Sequence, residues 1–122
     1  MLMKKQKREE GMILLVLYVQ GAEGERLQLQ IDAENMHLTI QGTPCRLTEQ
    51  EFQLLYVLAE KANQVLGRDE LLRTVWGFVT PGPTRTVDVH IQRLRKKTNL
   101  TCIETVLGRG YRLCAAENDS DC

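Results

Sequence analysis

Apolar residues in the first forty positions follow the patterns of β-strands. The run "MILLVLYV" at residues 12–19 is rich in branched side chains and short for a helix, so it predicts a buried strand. The segments "LQLQI" at 27–31 and "MHLTI" at 36–40 alternate strictly and flank the turn-forming "DAEN", which predicts a half-buried hairpin. The following "QGTP" is predicted to end the second strand of that hairpin.

Three helices are predicted after this sheet. Thr48 with Glu51 three positions later forms a capping-box start for an amphipathic helix in "LTEQEFQLLYVLAEKAN". A short second helix runs from Arg68 or Asp69 to Trp76 and is ended by Gly77. A third runs over residues 84–97, after a loop stiffened by two prolines.

A glycine-bounded hairpin closes the pattern, with "CIETV" and "YRLC" as strands and "LGRG" at 107–110 as the turn. The predicted fold class is therefore α+β: an N-terminal antiparallel sheet, three helices and a C-terminal β-hairpin.

Helical periodicity separates the third helix into two faces. Val87, Ile91 and Leu94 share one side and predict the buried stripe. The opposite side carries Arg85, Val89, Gln92, Arg93 and Lys96, and the flanks carry Arg95, Lys97 and His90. Forked guanidinium donors suit guanine edges, an amide suits adenine, and an apolar side chain suits the thymine methyl. The alternative reading is a solvated basic helix face.

Charge is distributed unevenly along a chain whose 16 basic and 16 acidic residues sum to zero. The body from Glu9 to Glu70 is acidic in sum, whereas residues 84–112 carry seven basic side chains against Asp88 and Glu104. The third helix lacks the glutamates that would pair with its cations at i,i+4 spacing, and Arg109 follows at the hairpin tip. This local excess favours a nucleic-acid partner over a solvated face.

Other classes of function have little support in the sequence. The four cysteines form no CxxC pair and there are two histidines, so no metal site or cofactor is predicted, and the thiols suit a reducing cytoplasm. Cys102 and Cys114 stand six residues either side of Gly108 and could face each other across the hairpin, although two buried thiols are the simpler reading. No catalytic set is found, so no enzyme is expected. The run at 12–19 is too short to span a bilayer, so no membrane partner is expected.

Four stretches, "LTEQEFQLLYVLA", "LGRDELLRTVWG", "RTVDVHIQRLRKK" and "IETVLGRGYRL", together resemble the winged-helix effector domain of OmpR/PhoB-type response regulators. The resemblance covers roughly residues 27–113. It implies bacterial transcription regulation in a two-component phosphorelay, with the third helix in the major groove of promoter DNA and the wing near the minor groove.

Residue roles follow from the resemblance alone. Arg93 is the implied base-reading side chain, with Arg85, His90 and Arg95 as phosphate or base contacts. Trp76 would donate its indole N–H to a phosphate, and Thr105 and Tyr111 would anchor the base of the wing. For Trp76 and Tyr111 core packing is an equal alternative.

Two positions depart from the family pattern. Leu107 stands where relatives commonly have arginine, and Arg109 lies between the wing glycines, so the minor-groove contact is displaced or lost. Gln92 replaces a side chain that is often basic, which favours adenine and predicts altered sequence preference.

The resemblance also frames domains and partners. Residues 1–11 are expected to be a basic, linker-like N-terminus, residues 12–115 the DNA-binding domain, and residues 116–122 an acidic disordered tail. A receiver domain does not fit in 122 residues, so an excised effector domain is expected, with a natural single-domain regulator as the alternative. The run at 12–19 is either an extra edge strand or a seam for a partner or second copy.

Further partners are implied by the resemblance: direct repeats bound head-to-tail by a domain that is monomeric alone, and RNA polymerase touching the loop at 77–83. The main alternative is a winged helix that docks a protein through the same helix and hairpin. Such an interface would bind with an affinity that survives salt, whereas phosphate contacts would not.

Overall fold

The computed structural model describes residues 3–7, 13–77 and 84–115, and these ranges show the predicted order of sheet, helices and hairpin. The elements are β1 (Met3–Lys7), β2 (Ile13–Gln20), β3 (Arg26–Asp32), β4 (His37–Ile40), β5 (Thr43–Cys45), α1 (Glu49–Glu60), α2 (Arg68–Leu71), α3 (Arg85–Thr98), β6 (Ile103–Val106) and β7 (Gly110–Leu113). The architecture confirms the predicted α+β winged helix. The loop at 78–83 and the tail at 116–122 lie outside the described residues.

The N-terminal sheet is antiparallel throughout, with its five strands in sequence order. Leu17 pairs with Leu29 and Leu15 with Ile31, so that apolar side chains of neighbouring strands meet on the face that the helices cover. This register leaves alternate residues of β3, such as Gln28 and Gln30, on the opposite face.

Three details of the sheet differ from the sequence analysis. The strand predicted at 12–19 is β2, and it pairs with β1 as well as β3, so it is not an edge strand. Part of the segment expected to be a linker is β1 itself. The sequence "QGTP" ends β4 as predicted, but β5, which was not predicted, begins within it and pairs with β4, its Pro44 on an edge where a missing N–H is tolerated.

Helix boundaries follow local signals in the sequence. The capping box at α1 is confirmed, since the backbone N–H groups of Thr48 and Glu51 each donate to the other's side chain at 2.9 and 3.2 Å. The second helix continues past α2 as a π-helical turn, Leu72–Trp76, and ends at Gly77 with φ 77°. The third helix begins and ends one residue later than predicted.

The core lies between the inner face of the sheet and the three helices. Val87, Ile91 and Leu94 are fully buried there, which confirms the predicted stripe of α3. Burying these three side chains fixes the rotation of α3 about its axis and therefore fixes which residues face outward. No helix in the described ranges has the length and apolar character needed to cross a membrane.

Candidate nucleic-acid interface

The outward side of α3 presents a continuous polar and basic surface, which we call the reading face. All its members are exposed, and they are the residues predicted to oppose the core stripe: Arg85, Val89, Gln92, Arg93 and Lys96. Val89 keeps 40% of its surface in water although it is apolar. Arg93 and Lys96 form no ion pair or side-chain hydrogen bond within the described ranges. The reading face is therefore available to a partner.

Trp76 and His90 lie together beside the reading face. Their ring centroids are 4.9 Å apart in an edge-to-face arrangement, and both side chains are half-buried. His90 Nδ1 lies 2.9 Å from the carbonyl oxygen of Thr86, and because a carbonyl only accepts, Nδ1 carries a proton. The other ring nitrogen, Nε2, remains for an outside contact. Trp76 thus packs against His90 while part of its surface stays exposed.

Asp88 connects α2, α3 and the wing. One of its carboxylate oxygens accepts hydrogen bonds from Arg68 Nε at 2.7 Å and from the Tyr111 hydroxyl at 2.6 Å. Burial by itself would raise the pKa of Asp88, but the hydrogen bonds from Tyr111 and Arg68 outweigh that effect and lower it. Burial, followed by the bond to Asp88, raises the pKa of Tyr111. The carboxylate therefore stays ionised at neutral pH.

Arg95 ties α3 to the hairpin. Its guanidinium donates to the carbonyl oxygen of Ile103 at 2.8 and 3.1 Å and to Thr105 Oγ1 at 2.9 Å. The guanidinium carbons of Arg68 and Arg95 lie 5.6 and 5.7 Å from the centre of the Tyr111 ring. We call Arg68, Asp88, Arg95 and Tyr111 the wing clamp. The wing clamp fixes the hairpin relative to α3.

Arg95, which the sequence analysis had assigned to DNA, thus bonds within the protein, whereas Tyr111 lies at the base of the wing. Arg95 is occupied by the wing, and Tyr111 is only 3% exposed with its hydroxyl bonded to Asp88. Thr105 accepts from Arg95 at the base of the wing. Sequence reasoning missed Arg68, because its partners lie 20 and more residues away. Asp88, the lone acid in a basic helix, was the available signal.

Lys97 is also engaged. Its ammonium group donates to Glu51 Oε1 at 2.7 Å, the same oxygen that accepts the Thr48 N–H of the capping box. The Glu51 side chain is only 2% exposed. Burial alone would raise its pKa, but the bonds from Lys97 and Thr48 outweigh burial and lower it. Lys97 therefore neutralises a buried carboxylate at the start of α1.

The wing turn is closed by a hydrogen bond from the Arg109 N–H to the carbonyl oxygen of Val106 at 2.9 Å. Gly108 has φ 74° and open space around it. Gly110 has φ 146°, and a side chain there would overlap the carbonyl group of Leu66. The backbone of Leu66 pairs with that of Tyr111 through two hydrogen bonds of 2.8 and 2.9 Å. The turn thus projects from a stem that is locked to the loop before α2.

The stem carries its own internal pairs. Arg112 donates to Glu104 at 2.7 Å, and this bond lowers the pKa of Glu104. Cys102 and Cys114 face each other across the hairpin, with the Cys114 N–H donating to the Cys102 carbonyl at 2.8 Å. Both thiols are unoxidised, one buried and one half-buried. Across the described residues, no cluster of three or more His, Cys, Asp and Glu side chains could hold a metal ion.

Comparisons with known proteins agree with this architecture. The family model described as "Transcriptional regulatory protein, C terminal" matches residues 42–113. The transcriptional regulatory protein CseB of Streptomyces avermitilis is 46% identical over 88 residues, covering 72% of this chain and 37% of CseB. The heme response regulator HssR of Staphylococcus aureus is 40% identical over 89 residues, covering 70% of this chain and 40% of HssR. The chain therefore spans about two fifths of the length of these relatives.

Solved structures show the same similarity. The DNA-binding domain of Klebsiella pneumoniae RstA, in complex with the RstA box, is 38% identical with a TM-score of 0.63, over 70% of this chain and 89% of that one. The DNA-binding domain of Escherichia coli CpxR is 31% identical with a TM-score of 0.64, and the match covers 80% of this chain and 94% of that one. The OmpR/PhoB homologue DrrB of Thermotoga maritima is 34% identical with a TM-score of 0.60, and the match covers 70% of this chain and 41% of that one. The chain therefore belongs to this family of transcriptional regulatory proteins, as a winged-helix C-terminal domain of the OmpR/PhoB response-regulator type.

Proposed function

We propose that the chain binds double-stranded promoter DNA sequence-specifically, as the output domain of a two-component response regulator. The observation that carries this proposal is the reading face: exposed arginine, glutamine and valine side chains sit directly opposite a fully buried stripe on one helix. Membership of a family of transcriptional regulators confirms the prediction that the chain is not an enzyme.

The chemistry of the reading face supports insertion of α3 into the major groove. Arg93 is free to bridge the two acceptors of guanine, and Gln92 to pair with adenine. Val89 would contact a thymine methyl, which would explain an apolar side chain left 40% exposed. Arg85 and Lys96 would neutralise phosphates, and His90 Nε2 and the Trp76 indole N–H would add contacts at the edge of the groove.

The wing clamp and the Glu51–Lys97 pair change the roles proposed for the remaining residues. Arg95, Thr105 and Tyr111 act as positioning residues that hold the wing at a fixed angle to α3, because their polar atoms bond one another or Asp88. Lys97 contributes positive charge near the phosphates while it stabilises α1. Arg109 at the exposed turn is the wing's cation for the minor groove.

The surroundings of the domain are part of the proposal. We infer that a receiver domain controls it in the cytoplasm, that it binds direct repeats head-to-tail, and that it is monomeric alone. RNA polymerase contact through the loop at 77–83 also stays a proposal, since residues 78–83 lie outside the described ranges.

The test is selection of bound sequences from a random duplex pool, followed by titration of the selected site at two salt concentrations. The expected result is an enriched motif, repeated about one helical turn apart, whose affinity falls steeply with salt. Salt-sensitive binding without a motif would reduce the proposal to non-specific DNA binding. The absence of DNA binding would contradict it and favour a protein partner for the same surface.

A further inference from the structure

The most exposed large apolar side chain in the described ranges is at the wing turn. Leu107 keeps 89% of its surface in water, whereas Met36 and Val89, the next most exposed, keep 41% and 40%. A side chain that stays in water contributes almost nothing to folding. Leu107 is therefore a side chain that the fold itself does not use.

The turn that carries Leu107 is held rigidly. Gly110 fits against the carbonyl of Leu66, the backbone of Tyr111 pairs with Leu66, and the Arg109 N–H closes the turn onto Val106. Little conformational entropy of the backbone would therefore be lost when the tip is placed against a partner. Leu107 lies two residues beyond Thr105, so it projects roughly 7 Å past the point where Arg95 ties the hairpin to α3.

Charge around the tip suits an electronegative groove. Arg109 is exposed two residues after Leu107, and residues 106–110 contain no acidic side chain. The nearest acid in the hairpin, Glu104, is neutralised by Arg112 at 2.7 Å. A tip with one apolar and one cationic side chain matches the minor groove, whose phosphate walls attract cations and whose floor accepts apolar wedges.

Building on the proposed function, we propose that Leu107 is a minor-groove wedge, which inserts partly between two base pairs and bends the operator. The wing clamp makes the wing and α3 one body, so that with α3 in a major groove the wing reaches the adjacent minor groove. Arg109 lies along the groove wall while Leu107 enters. The wedge selects a flexible pyrimidine–purine step, TA or CA/TG, because these steps unstack most readily.

The test uses the 122-residue chain and its selected operator, with 2-aminopurine placed in turn at each adenine and bending followed by energy transfer between the duplex ends. Wild-type binding is expected to raise the fluorescence of 2-aminopurine at one pyrimidine–purine step and to bend the duplex. Leu107→Ala should lose both signals and bind about tenfold more weakly, as expected for the loss of a buried leucine side chain. Leu107→Met should retain them, because methionine also acts as a wedge.

Two further readouts separate the wedge from other roles of the wing. Leu107→Ala should leave the salt slope unchanged, since leucine neutralises no phosphate, whereas Arg109→Ala should reduce it by about one while keeping the fluorescence signal. Bending and fluorescence that persist in Leu107→Ala would overturn the wedge while leaving specific DNA binding intact. Weakened cooperativity between two half-sites, with unchanged binding to one, would also overturn it and assign Leu107 to a protein contact.

Discussion

Asp88 shows at the scale of one residue how an acidic side chain supports a basic surface. Its carboxylate lies within α3 among cations that would otherwise repel one another, and it also holds Tyr111 of the wing. The negative charge thus stabilises the helix and orients the hairpin. When the charges of α3 are counted from the sequence alone, Asp88 only lowers the net positive charge of the helix by one.

Replacing this carboxylate should change the acid stability of the domain. The pKa of Asp88 is lowered in the folded state, so its contribution is present above the unfolded value of about 4 and is lost as pH falls through the folded value. Asp88→Asn should reduce the free energy of unfolding at pH 7 by about 1 kcal/mol, since the group is partly exposed.

Urea unfolding between pH 7 and pH 2 measures this effect. The slope of unfolding free energy against pH should be smaller below pH 4 in Asp88→Asn than in the wild type. Glu34→Gln, in an exposed turn, is the matched control and should behave like the wild type. Identical slopes for Asp88→Asn and the wild type would show that the ionised Asp88 carboxylate does not contribute to the free energy of unfolding.

The neighbouring lysines Lys96 and Lys97 should separate binding from folding. Lys97→Ala leaves the buried Glu51 carboxylate without its ammonium partner and should cost about 1–3 kcal/mol of folding stability. Lys96→Ala should change the free energy of unfolding by no more than about 0.5 kcal/mol. It should weaken binding to all DNA sequences alike and reduce the steepness of the salt dependence by about one. Thermal unfolding and salt titration of both variants check this, and equal melting temperatures would contradict it.

At the scale of elements, the two faces of α3 have separate functions: one packs in the core and the other is exposed for DNA. Arg93 lies on the exposed face, away from the wing clamp. Arg93→Ala should therefore leave folding intact, cost about 1–3 kcal/mol on the selected operator, and flatten base preference at the position it contacts. Competition between the operator and its single-base variants measures this preference. A uniform loss on every sequence would assign Arg93 to phosphate contact.

The hairpin depends on its two turn glycines to different degrees. Gly110→Ala places a side chain onto the Leu66 carbonyl at a positive φ and should destabilise the domain by about 3 kcal/mol or more. Gly108→Ala meets open space and should cost about 1–2 kcal/mol from φ alone. Denaturant unfolding of both variants provides the comparison. Equal costs would mean that the wing is not locked against Leu66.

Prediction from sequence succeeded where the signal is local. The stripe of Val87, Ile91 and Leu94 has helical spacing, and the Thr48–Glu51 capping box is contained in four positions. It failed where partners are distant: Arg95 and Lys97 look like exposed cations on a helical wheel, but their acceptors lie on the hairpin and on α1. Likewise an apolar run predicts a strand without showing how many neighbouring strands it has, which is why an edge strand was one of the two alternatives for β2.

At the scale of the whole molecule, charge segregation lets a neutral chain present a basic surface. The reading face and the wing turn offer Arg85, Lys96 and Arg109 to phosphates, about three contacts, and the logarithm of affinity should fall with the logarithm of salt concentration with a slope of about −3. Fluorescence anisotropy on the selected operator between roughly 50 and 200 mM salt measures this slope. A slope near zero would contradict phosphate contact and favour a protein partner.

The lock between Gly110 and Leu66 divides the wing into a part that cannot vary and a part that can. Any side chain at position 110 collides with the protein's own backbone, whereas the side chains of Leu107 and Arg109 are exposed. Mutation can therefore sample new residues at these two positions at little cost in stability. Such a wing allows duplicated regulators to diverge toward different promoters by substitution at the turn while the stem keeps its place against the protein.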